Sequence, residues 1–174
     1  MPDDSAAAAF ETAIKTEQEG QEFYLKVAAA SGNRLAKGMF EALAADEKRH
    51  EEWIRANVAY KVVPEKGLEA ETNRKLQTIF SSVTGAEMDS FASSEDDTAA
   101  LKKALEIEQT SVELYESRAQ WSPSREVASL WKILAIEERS HVKIVTNMLE
   151  YLNDTGSWFM GEEGWSFDGG GSFA

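Results

Sequence analysis

The sequence predicts an all-α protein: a four-helix bundle built from two duplicated helical hairpins and joined by a long crossover that contains a short helix. The first observation is that the only two histidines, His50 and His141, each follow a glutamate by three residues, in Asp46-Glu47-Lys48-Arg49-His50 and Glu137-Glu138-Arg139-Ser140-His141. The second is that these copies stand 91 positions apart, and the same offset carries Glu17 onto Glu108, Tyr24 onto Tyr115, Ala13 onto Ala104, Phe40 onto Trp131 and Leu43 onto Leu134. The third is that within each half the lone glutamate precedes its partner by 30 residues. That spacing suits two helices joined by a tight turn, with both side chains at similar depth.

The first helix is expected from Ala6 to about Ser31, with Asp4 or Ser5 as cap and Gly32-Asn33 as stop. Its inward stripe is Phe10, Ala13, Ile14, Glu17, Gly20 or Gln21, Tyr24, Val27 and Ala28. The second runs from about Arg34 to Ala59 and turns Phe40, Leu43, Glu47, His50, Ile54 and Val58 inward, until Pro64 and Gly67 end it. A connection follows in which residues 68–83 read as a short helix, while Thr84-Gly85 and the run from Ser93 to Asp97 read as loops. Asp97 or Thr98 then caps the third helix, which buries Leu101, Ala104, Leu105, Glu108, Val112, Tyr115 and Ala119. Ser122 with Pro123 opens the fourth, which carries Leu130 or Trp131, Leu134, Glu138, His141, Val145, Met148 and Leu152 inward as far as Asn153. Residues 1–154 thus make the bundle, and residues 155–174 an aromatic, glycine-rich tail whose Trp158, Phe159, Trp165, Phe167 and Phe173 favour docking over solvent.

Composition narrows the function. Thirty-one acidic residues against eighteen basic give a formal charge of −13, which disfavours nucleic acid and anionic membranes as partners. The absence of cysteine excludes thiolate chemistry, so a metal must be held by oxygen and imidazole, leaving iron, manganese and zinc open. No basic, apolar leader and no membrane-length apolar run is present, and the cytoplasm is the expected compartment.

Every predicted stripe is apolar except for Glu17, Glu47, His50, Glu108, Glu138 and His141. Three residues along a helix place a glutamate and a histidine on one face, one turn apart, where both reach a single ion. Packing the stripes brings all six to one level of the core. Four buried carboxylates repel one another and take up protons unless cations meet them, and two divalent ions balance four negative charges. Glu47 with His50 serves one ion and Glu138 with His141 the other, or the halves cross; Glu47 and Glu138 are assigned as the bridging, catalytically central carboxylates.

Tyr24 and Tyr115, seven residues beyond Glu17 and Glu108, are either core aromatics whose hydroxyls find a carboxylate or outer participants in the chemistry. Asp46 and Glu137 can reach an imidazole, but solvated helix-face acids are the preferred reading. Gly20 and its counterpart Ser111 either permit close packing, the preferred reading, or leave room for an oxidant.

As a set, Glu17 with Gly20 and Phe23-Tyr24, the Asp46–His50 stretch, Glu108 with Tyr115, and the Glu137–His141 stretch resemble the rubrerythrins of the ferritin-like di-iron superfamily. The resemblance spans roughly residues 5–153. It implies a ferritin-like fold, two iron ions bridged by carboxylates, reduction of hydrogen peroxide or dioxygen in oxidative-stress defence, and a homodimer. Classical rubrerythrins add a cysteine-ligated rubredoxin domain where this sequence has its aromatic tail, so electrons are expected from a separate, rubredoxin-like donor. Rubrerythrins also place a further glutamate three residues after the third-helix ligand, and this sequence has Ser111 there. The remaining six ligands are those of bacterioferritin-like ferroxidase centres, which makes iron oxidation or storage the competing expectation. A di-manganese catalase or di-iron hydroxylase on the same bundle is a more distant one.

Overall fold

The computed structural model describes residues 4–60, 95–122 and 124–153. These form four helices, α1 (Asp4–Ala30), α2 (Arg34–Tyr60), α3 (Glu95–Gln120) and α4 (Arg125–Asn153). α1 packs mainly on α2 and α3 on α4, and the hairpins meet through α1 against α3 and α2 against α4. This is the duplicated-hairpin bundle that the offset of 91 predicts. The short helix expected over 68–83, the Thr84-Gly85 loop and the tail beyond 154 lie outside the described residues. No helix among the described residues is long and apolar enough to cross a membrane.

The turns depart from the sequence reading in instructive ways. Asn33, expected as a stop, starts α2: its Oδ1 accepts from Leu35 N at 2.9 Å and Ala36 N at 3.0 Å, satisfying two amides that a helix N-terminus leaves without partners. Asp97, expected to cap α3, lies two residues inside a helix that begins at Glu95, and the run from Ser93 is therefore not all loop. The Asp97 carboxylate instead accepts from Asn33 N at 3.3 Å, tying the start of α3 to the first hairpin turn. At the second turn, Ser124 rather than Ser122 caps α4, its Oγ accepting from Val127 N at 3.2 Å. Ser122 Oγ donates back to Arg118 O at 2.8 Å.

The core falls into two apolar clusters. One joins Tyr24, Leu35, Met39, Phe40, Leu43, Leu101, Val145 and Met148. The other joins Phe10, Ala13, Ile54, Tyr115, Leu130, Trp131 and Leu134. The duplication is visible in their aromatics, since Tyr24 stacks on Phe40 at 6.1 Å and the 91-shifted pair, Tyr115 on Trp131, at 5.8 Å. Along each helix the polar ligand positions fall between residues of these two clusters. A polar layer is therefore plugged at both ends by hydrocarbon, which excludes water and strengthens every electrostatic interaction within it.

Candidate metal centre

All six residues singled out from the sequence, Glu17, Glu47, His50, Glu108, Glu138 and His141, are buried and converge in that layer. Their donor atoms form two overlapping groups. One comprises Glu17, Glu47, His50 and Glu138, the other Glu47, Glu108, Glu138 and His141, each with its atoms within 4.8 Å of one another. Glu47 and Glu138 belong to both.

The individual oxygens explain that sharing. Glu138 Oε1 lies 3.1 Å from His50 Nδ1, while its Oε2 lies 3.3 Å from His141 Nδ1. Glu47 does the same in the opposite sense, with Oε1 3.3 Å from His141 Nδ1 and Oε2 3.9 Å from His50 Nδ1. Each of these carboxylates thus directs one oxygen to each half of the centre.

Glu17 and Glu108 cannot do so, because a tyrosine occupies one oxygen of each. Tyr115 on α3 donates to Glu17 Oε1 on α1, and Tyr24 on α1 donates to Glu108 Oε1 on α3. Only the second oxygens remain turned inward, Glu17 Oε2 at 3.2 Å from His50 Nδ1 and Glu108 Oε2 at 3.4 Å from His141 Nδ1. Of the two readings offered for Tyr24 and Tyr115, the structure supplies the carboxylate partner and makes it reciprocal between the hairpins.

Asp46 corrects the preferred sequence reading. It is buried, and its Oδ2 lies 3.5 Å from His141 Nε2 on the facing helix while Arg49 donates to its Oδ1. A helix-face acid looked solvated because the sequence does not tell which flank of α2 faces α4. Glu137, its counterpart under the offset, is partly buried, and His50 Nε2 makes no hydrogen bond among the described residues. The two halves therefore differ behind their histidines. Those rings stack on each other with centroids 5.3 Å apart and close the α2–α4 side of the layer.

Without cations this layer is electrostatically strained. Burial, and then the neighbouring carboxylates Glu138, Glu17 and Glu108, push Glu47 well above the usual carboxylate range. Burial likewise raises Glu108 to about 8. Burial also opposes ionisation of Glu138, yet its contacts with His141 and His50 outweigh this and hold it well below the ordinary value. Against desolvation, the surrounding carboxylates raise both imidazoles well above their usual value. Protons thus occupy positions from which a metal would displace them.

The donors fit a metal pair. Glu108 Oε2, both Glu138 oxygens and His141 Nδ1 are buried with no hydrogen bond among the described residues, although they point at one another. Adjacent donors around an ion with bonds of about 2.1 Å lie about 3.0–3.4 Å apart, a range that contains the 3.1–3.4 Å approaches of Glu138, Glu17 and Glu108 to the two Nδ1 atoms.

Residues 9–88 match the rubrerythrin family model. No curated protein matches the chain. Among solved structures, a hypothetical protein from Pyrococcus furiosus is similar at 23% identity and a TM-score of 0.61, over 89% of this chain and 94% of that one, which supports the fold. The chain is thus a ferritin-like four-helix bundle in which residues 9–88 match the rubrerythrin family and the second hairpin repeats the carboxylate–histidine pattern of the first.

Proposed function

We propose that this bundle holds two iron ions and reduces hydrogen peroxide or dioxygen, with a separate donor supplying electrons. The observation that carries the reading is the pair of overlapping donor groups sharing Glu47 and Glu138. Glu17 with His50 would hold one ion and Glu108 with His141 the other, the two shared carboxylates bridging. This pairs each histidine with the lone glutamate of its own hairpin, a pairing that the sequence left unassigned.

A bound iron pair supplies the two electrons that, with two protons, convert hydrogen peroxide to two waters. The protein's own part is positional. Tyr24 and Tyr115 fix Glu108 and Glu17 with one oxygen each toward the centre, while Glu47 and Glu138 keep both oxygens available. Asp46 orients His141, and the apolar clusters at either end exclude bulk water. Mixing the anaerobically reduced, iron-loaded protein with peroxide or dioxygen tests the reading. Rapid oxidation by peroxide is expected, and comparably slow reaction with both would refute a peroxidase.

Ser111 favours a second reading, a ferroxidase. A serine stands where rubrerythrins carry a further carboxylate, so the centre has only the six ligands found in ferroxidases. Excess ferrous iron separates the two. Oxidation continuing beyond two irons per chain with mineral formation supports the ferroxidase, and stoichiometric uptake followed by peroxide consumption supports the peroxidase.

A further inference from the structure

Between α1 and α3 lies a groove of about 390 Å³ lined by Thr16, Gly20, Lys103, Thr110 and Ser111, with Glu19 and Glu106 also on its walls. Gly20 and Ser111 correspond under the offset of 91, and each sits three residues after a carboxylate of the centre and four before a tyrosine that holds one. They therefore lie at the level of the donors, on the side opposite the stacked histidines. The missing side chain at Gly20 leaves Glu47 as the next group inward. A Cβ there would stand 3.4 Å from Glu47 Cγ and Cδ and 3.5 Å from its Oε2. Among the described residues, the two apolar clusters fill the ends of the layer, and the imidazole stack with Asp46 and Arg49 closes the α2–α4 side.

We propose that this groove is the port through which a divalent cation reaches the centre, with Gly20 and Ser111 setting its bore. The inference rests on reading the six-residue cluster as a metal centre. Glu19 and Glu106 supply negative charge at the mouth, and their partners are exposed lysines, Lys15 at 3.5 Å and Lys103 at 2.9 Å. Such solvated pairs are weak enough to exchange with an arriving cation. Beyond them lie the buried Ser111 and, next inward of Gly20, the carboxylate of Glu47.

Cobalt(II) is a suitable probe, because its ligand-field absorbance reports uptake without any turnover. In stopped-flow loading of the full chain, Gly20→Leu and Ser111→Leu should each slow uptake by about tenfold or more, a modest increase in barrier. Gly20→Ala, whose methyl would make only ordinary contacts, should remain near the wild-type rate. A narrowed port slows EDTA extraction in the same proportion and leaves two ions per chain at equilibrium. Wild-type uptake rates in Ser111→Leu would overturn the port even if Gly20→Leu failed to fold. Faster extraction would overturn it too, since that marks a displaced ligand rather than a blocked path. Failure of the wild-type chain to bind cobalt would refute the metal centre itself, a result distinct from either.

Discussion

Replacing Asp46 by asparagine should weaken one metal position and spare the other. Asp46 Oδ2 stands 3.5 Å from His141 Nε2, buried and held through its other oxygen by Arg49, whereas His50 Nε2 has no hydrogen-bond partner among the described residues. An imidazole that binds metal through Nδ1 and turns its Nε2–H to a carboxylate is a more basic and better oriented ligand. Loss of such a partner typically costs about 10–100-fold in affinity, or about 1.4–2.8 kcal/mol. Asparagine retains the shape and one acceptor oxygen but not the charge, so the lower end, about tenfold, is expected. Chelator-competition titration with zinc or cobalt resolves the two binding steps. The variant should show one step weakened about tenfold and the other within about threefold of wild type. Equal weakening of both steps, or of neither, would refute the claim that the halves are inequivalent behind their histidines.

The metal-free protein should lose stability as pH rises from about 6 to 9. Glu108, raised by burial to about 8, Glu47 and the two imidazoles all keep protons in the folded state that the unfolded chain has released. Stability from such raised groups is present below their unfolded values and lost through their folded ones. The lowered Glu138 and Asp46 contribute oppositely, but lose their contribution only in acid. Thermal melts at several pH values check this, and a melting temperature that rises over the window would contradict it. Trp131→Ala removes a buried ring stacked on both Phe10 and Tyr115, and urea denaturation should show a loss of about 3–5 kcal/mol. Asn33→Ala removes the acceptor for two α2 amides and should cost about 1–2 kcal/mol in the same assay.

The centre was more legible in the sequence than the turns that hold it. Glu17 and Glu108 announced themselves as carboxylates on otherwise apolar stripes, because burial without a partner is costly enough to demand an explanation. Periodicity fixes which face of a helix is inward, so all six buried carboxylate and imidazole residues of the layer could be named. It does not fix which neighbour each flank meets, and for that reason Asp46 read as solvated although it lies against His141. The crossing of Tyr24 to Glu108 and Tyr115 to Glu17 was hidden for the same reason. Asn33 shows a different limit. An asparagine after a glycine suits a helix stop, while its role as the cap of α2 depends on where its side chain turns once the hairpin has closed.

Metal stoichiometry in single-carboxylate variants tests the shared-ligand arrangement most directly. Anaerobic titration with ferrous iron should reach two ions per chain in the wild type, a count set by the two donor groups. Glu138→Ala should lose both, since Glu138 belongs to each group, whereas Glu108→Ala should lose chiefly the ion beside His141. Retention of two tightly bound ions by Glu138→Ala, or a wild-type chain that holds fewer than two, would contradict a carboxylate-bridged pair.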